Sequence, residues 1–137
     1  MISENDSAAG EKWYAYVCTP EPSGWHNNQT YIDTMSEEAV HEFIKITHET
    51  YKKTVGGKFG STIPAIFTDE PNIGYKHTDA GEEHFPWTYD FAETYKKTYG
   101  DDILPHLPVI RWELPDFRPS AARLRYHDHA CERFTHA

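Results

Sequence analysis

The chain has 137 residues, 38% of them hydrophobic and 26% charged, with a formal net charge of −9. That length suits a single domain, the hydrophobic content excludes a disordered chain, and no apolar run approaches the roughly 18 residues of a membrane span. With 22 acidic against 13 basic residues, there is no basic stripe to track phosphates, so neither a nucleic acid nor a membrane is expected as partner.

The N-terminal "MISENDSAAGEK" lacks a basic region and an apolar core, so it does not read as a signal peptide. "WYAYVC" (13–18) is aromatic and rich in β-formers, and it ends at the breaker "TPEPSG". The pattern predicts a strand followed by a long loop reaching Asp33. A helix follows in "TMSEEAVHEFIKITHETYKKTVGG", where Val40, Phe43, Ile44, Thr47 and Tyr51 recur at helical spacing. Thr34 with Glu37 fits a capping box, and Gly56-Gly57 is a stop signal.

"TIPAIFT" (62–68) is a short apolar run bounded by Gly60 and Pro71, the pattern of a strand covered on both faces, with Pro64 near its start. "NIGYKHTDAGEEHFPW" reads as a second long loop. "TYDFAETYKKTYG" reads as a helix closed by Gly100, the proline-rich "DILPHLPVIRWELPDFRP" as a short helix, and the last segment as a helix from Ser120. In that last helix Leu124, His127, Cys131 and Phe134 share a stripe, with His127 lining a core. Cys18 and Cys131 show no CxxC spacing and are expected to be buried free thiols.

Strands alternating with helices predict an α/β fold with a parallel sheet, where ligands bind in the loops beyond the carboxyl ends of strands. Both long loops follow strands. Two parallel strands bury their faces poorly, however, so the expected architecture is a partial (β/α)8 barrel. Residues 1–137 would be a fragment of one catalytic barrel domain with no internal boundary, about two βα units with extra helices.

The chemistry concentrates at Asp69 and Glu70. Neighbouring strand residues point to opposite faces, so the two do not serve as facing carboxylates. Pro71 predicts an extended Glu70 at the rim of the sheet. A carboxyl group among apolar and aromatic neighbours there would act as a general acid. Asp69 would orient the neighbours of Glu70, hold a sugar hydroxyl or help bind a cation. The opposing reading makes the pair a cap on the following loop.

"YIDTMSEEAVHEFIKITHETYKK", "IPAIFTDEPN", "PWTYDFAETYKKTYGDDILPHLP" and "YHDHACERF" together resemble bacterial glycoside hydrolases, namely the α-L-rhamnosidases of glycoside hydrolase family 106 and related family 2-like sugar hydrolases. The likeness runs from about Trp13 to the end, and "THE" (47–49) and "FTDEP" (67–71) are its most specific parts. It implies a (β/α)8 catalytic barrel, hydrolysis of O-glycosidic bonds, and Glu70 as the general acid at a strand's end. It also implies a periplasmic or secreted parent protein. Barrels of the large retaining clan carry Asn before the acid; Asp69 stands here, which leaves the stereochemical outcome open.

Glycoside hydrolysis needs a second carboxylate. Asp33 is a candidate within the chain, read either as a ligand for a substrate hydroxyl or as a helix-entry cap. Glu113 reads better as a surface residue, so the partner is expected in the remainder of the barrel and the fragment alone is expected to be inactive. Trp25, His26 and Trp87 read either as a sugar-stacking platform or as packing anchors of the loops. His48 and Glu49 are read as structural. In "HDHAC" only His127 and Cys131 share a helical face, too few ligands for zinc. No cofactor is expected, although loop carboxylates suit a hard cation such as calcium. "NQT" (28–30) matches a glycosylation sequon, relevant only to a eukaryotic secretory route. The rival function is a non-catalytic carbohydrate-binding α/β module, which shares the aromatic loops and differs at Glu70.

Overall fold

The structure, a computed structural model, describes residues 13–74, 81–114 and 121–137 and the backbone of 77–79. The chain divides into two compact units, one ending at Tyr31 and the other spanning Ile32–Ala137. In the first, a 3₁₀ turn over Gly24–His26 is capped by Ser23, whose Oγ accepts from the Trp25 N–H at 3.2 Å. The turn is closed by an antiparallel bridge between Ser23 and Gln29. Asn27 and Asn28 take left-handed backbone conformations there, which short polar side chains tolerate. Residues 13–18 form no strand and are exposed.

The second unit runs α1 (Glu37–Ile46), α2 (His48–Val55), β1 (His77–Asp79), β2 (Glu82–His84), α3 (Phe91–Tyr99), α4 (Leu107–Arg111) and α5 (Ala121–His136). The fold is mixed but helix-rich. Among the described residues its one sheet is the antiparallel hairpin β1–β2, in register His77 to His84. The hairpin lies inside the stretch read as loop, because it is almost wholly polar and offers only Gly81, at φ 83°, as a turn signal. No parallel sheet is present among the described residues. "TIPAIFT" begins with a parallel bridge from Phe59 to Ile63 and then runs without regular structure, Phe67 being 85% exposed. Pro64 withholds a donor and no neighbouring strand supplies a ladder, so strand propensity there goes unused.

The long helix expected over 34–57 is divided at Thr47. Its hydroxyl donates to the Phe43 carbonyl at 2.6 Å, a back-bond that bends helices, and lies 2.9 Å from His48 Nδ1. This gives "THE" a local structural role. No residue of α1 or α2 is buried, and Phe43, Ile44 and Tyr51 on the expected core face remain exposed.

The core lies instead between α3, α4 and α5. Phe91 and Tyr95 sit one turn apart on α3 and are fully buried. They meet Tyr126 and Ala130 of α5, with Ile103 and Ile110 closing the far side. The Phe91 ring lies 4.6 Å from Trp87 and 5.4 Å from Tyr126, within the range where aromatic pairs add to area burial. α3 ends at Gly100, whose φ of 69° permits the left-handed cap that the sequence predicts. On α5 the buried stripe is Ala122, Tyr126, His129 and Ala130. The expected stripe is therefore corrected: His127, Leu124 and Cys131 are exposed. Both stripes have helical spacing, but two alanines let α5 approach α3 closely, and the Tyr126 hydroxyl reaches the Pro86 carbonyl at 2.6 Å. Both cysteines are free and exposed, not buried. No helix among the described residues is long and apolar enough to cross a membrane.

His129 is 2% exposed, its Nε2 lying 2.9 Å from Thr94 Oγ1 and its Nδ1 buried without a hydrogen-bond partner. Burial pushes its pKa below the ordinary 6.5; Glu132 and Asp90 oppose this and Arg133 reinforces it. The folded state thus resists a proton that the unfolded chain accepts. Stability carried by neutral His129 is complete above about pH 6.5 and declines as the pH falls toward the lowered folded value. Urea titrations from pH 7.5 downward should show this loss, and His129→Leu should flatten the decline. The Phe91→Ala chain, with a cavity at the centre of the core, should lose about 3–5 kcal/mol in the same assay at pH 7.5.

Candidate functional site

The segment 33–36 enters α1 through a set of side-chain caps. Asp33 Oδ1 accepts from the Met35 N–H at 3.0 Å, and its backbone carbonyl accepts from the Ser36 N–H at 3.2 Å. The N-cap is Ser36, whose Oγ accepts from the Ala39 N–H at 3.3 Å. The expected capping box at Thr34 is therefore displaced by two residues. Asp33 Oδ2 accepts from the Thr88 hydroxyl at 2.6 Å, joining the entry of α1 to the approach of α3. Arg133 of α5 donates from Nε to the Met35 carbonyl at 3.1 Å and from Nη2 to Asp90 Oδ1 at 3.0 Å.

Thr34, freed from capping, points its hydroxyl elsewhere: it donates to the Asn72 carbonyl at 2.7 Å. Asn72 organises the turn that follows the acidic pair. Its Oδ1 accepts from the Gly74 N–H at 2.9 Å, and its Nδ2 donates to the carbonyl of Glu70 at 3.0 Å. Ile73 packs against the core from the same turn. Glu70 itself has φ 38°, a left-handed conformation costing a non-glycine residue about 1–2 kcal/mol. The extended geometry expected before Pro71 is thus corrected: the hydrogen bonds of Asn72 and the docking of Ile73 accompany a tight turn at Glu70.

Asp69 and Glu70 are both exposed. Asp33 is brought to the same end of the unit, linked to Glu70 through Thr34 and Asn72, but both its carboxylate oxygens are engaged within the fold. Of its two readings, the helix-entry cap is the one with observed partners. Trp87 is half-buried, stacked near Phe91 and edge-on to Phe85 at 6.3 Å, and so acts as a packing anchor. In the other unit Trp25 is 95% exposed, and the His26 ring lies 5.0 Å from Tyr31. Glu113 is a surface residue within 3.9 Å of Arg123.

An open cleft of about 490 Å³ lies between one side of α1 and Tyr89, Asp90 and Arg133. Its walls are Glu37, Glu38 and Glu42 with Lys45, which already pairs with Glu42 at 3.0 Å. It contains none of the catalytic or substrate-binding candidates read from the sequence. Among the described residues no three His, Cys, Asp or Glu side chains gather to hold a metal ion. The residues that sequence reasoning missed are Asn72, Thr88 and Arg133. The only sequence signal for Asn72 is its place beside Pro71 in "EPNIG", a turn-forming composition.

No protein-family model, curated protein or solved structure matches the chain.

Asp33→Ala removes the acceptors of Met35 and Thr88 together. It should destabilise the unit by about 1–2 kcal/mol in urea unfolding, the loss expected for a helix-entry cap.

Proposed function

We propose that this chain is the acid-bearing portion of a glycoside hydrolase with a (β/α)8 catalytic domain, of the kind that its sequence resembles, the α-L-rhamnosidases. The reading rests on the sequence likeness around "FTDEP"; the structure holds Glu70 in a hydrogen-bonded turn, exposed and not walled by apolar neighbours as the sequence leads one to expect. A half-buried structural carboxylate has its oxygens engaged, as Asp33 does. The uncovered faces of α1 and of residues 63–67 also support it, since in a barrel a helix and a strand of this kind cover one another and their neighbours. The remainder of the barrel is the partner that such a unit requires.

In this reading the protonated Glu70 donates its proton to the glycosidic oxygen. The bond from that oxygen to the anomeric carbon breaks, and its electron pair stays with the departing alcohol. A second carboxylate, from another strand end, either attacks the anomeric carbon, giving a glycosyl ester that water then cleaves as the ionised Glu70 takes that water's proton, or takes a proton from a water that attacks the anomeric carbon directly. Water is consumed, and a free sugar and an alcohol are released. Asp69, beside the acid, binds a hydroxyl of the sugar.

The competing reading, a carbohydrate-binding module without catalysis, draws on the exposed Trp25. Hydrolysis of a panel of aryl glycosides, rhamnosides included, by the full-length protein and by Glu70→Gln separates the two. The enzyme reading expects cleavage of at least one substrate and a loss on the order of 10²–10⁴-fold in kcat/KM for Glu70→Gln, largest with poor leaving groups. Sugar binding without turnover would favour the module, and equal rates for the two proteins on a poor leaving group would remove Glu70 from the mechanism.

A further inference from the structure

We propose that Asn72 is the positioning residue of Glu70, setting where the carboxyl group stands by fixing the backbone that carries it; the proposal rests on the reading of Glu70 as general acid. In a left-handed conformation the direction of a side chain follows from the backbone dihedrals, and Glu70 is one of three non-glycine described residues with positive φ. The other two, Asn27 and Asn28, are of the type that adopts this conformation readily. Glutamate is not, so the turn must be held by its surroundings. Pro71 restricts one side of the turn through its ring. On the other side the Asn72 side chain closes back onto the Glu70 carbonyl through Nδ2 while its Oδ1 takes the Gly74 N–H.

The turn is in turn tied to the helical unit. The Asn72 carbonyl accepts from Thr34, the neighbouring Asp33 accepts from Thr88, and Ile73 enters the core cluster. Glu70 is thereby connected to the approach of α3 through four side chains. Asn72 holds the backbone carbonyl of Glu70, so it acts on proton transfer by geometry and not by contact with substrate. A misplacement of about 1 Å is enough to cost on the order of 10²-fold in rate.

The test uses the full-length enzyme and compares Asn72→Asp, Thr34→Val and Glu70→Gln. Asn72→Asp keeps the acceptor for Gly74 and removes the donor to Glu70; Thr34→Val removes only the distant hydroxyl. The expected result for Asn72→Asp is a fall in kcat of about 10- to 100-fold on glycosides with poor leaving groups. KM and the rate on activated aryl glycosides, which need no acid, should stay near wild type, as should the thermal midpoint. Thr34→Val should show a smaller loss with the same dependence on leaving group. If Glu70→Gln is crippled while Asn72→Asp and Thr34→Val both match wild type, the positioning role is overturned and the acid stands. A uniform loss on all substrates, or a rise in KM alone, also overturns it. If Glu70→Gln is itself indistinguishable from wild type, the reading of the acid fails, and the positioning role with it.

Discussion

The second unit depends on the seating of α5 against α3. Phe91 stands at the middle of that contact, walled by Trp87, Tyr126 and His129, and it has no exposed surface. Small residues on α5 and large rings around α3 make the contact close enough that polar groups on the same helices find fixed partners. Tyr126 reaches the Pro86 carbonyl, and Arg123 reaches the carbonyls of Val109 in α4 and of Trp112 just past its end. Arg133, one turn past Ala130, reaches both Met35 and Asp90. The start of α1 is thus located by a side chain 98 residues away, and through Thr34 so is the turn that bears Glu70.

This arrangement separates what is well anchored from what is not. The anchored part is helical and carries its own core. The polar entry of α1 and the Asp69–Glu70 turn hang from it by hydrogen bonds, and the apolar faces of α1 and of residues 63–67 lie outside it. A carboxylate so placed has a firm base and an open front.

The helices were readable in the sequence because their signals are local. The Gly100 cap and the start of α1 within two residues follow from neighbours along the chain. The strands were not, because strand formation is a property of pairs. "WYAYVC" and "TIPAIFT" have the composition, but a ladder needs a second chain segment that no local pattern can supply. The stripe on α5 was misplaced by counting apolar residues, since Leu124 outweighs Ala122 by hydrophobicity yet Ala122 permits the approach. At the site, adjacent carboxylates and a proline drew notice to Glu70, and Asp33 was found through its place at a helix entry. Asn72, Thr88 and Arg133 escaped because their partners lie 38, 55 and 98 residues away, at separations where polar side chains carry no periodic signature.

The contrast between Trp25 and Trp87 has an optical consequence. One indole stands almost wholly in water, while the other is half-covered and lies against Phe91 in the core. Their emission therefore comes from two unlike surroundings, one already close to that of the unfolded chain. A dissolved quencher would silence Trp25 and the exposed Trp13 first and leave a signal weighted toward the half-buried Trp87 and Trp112, of which Trp87 borders the seat of α5 on α3.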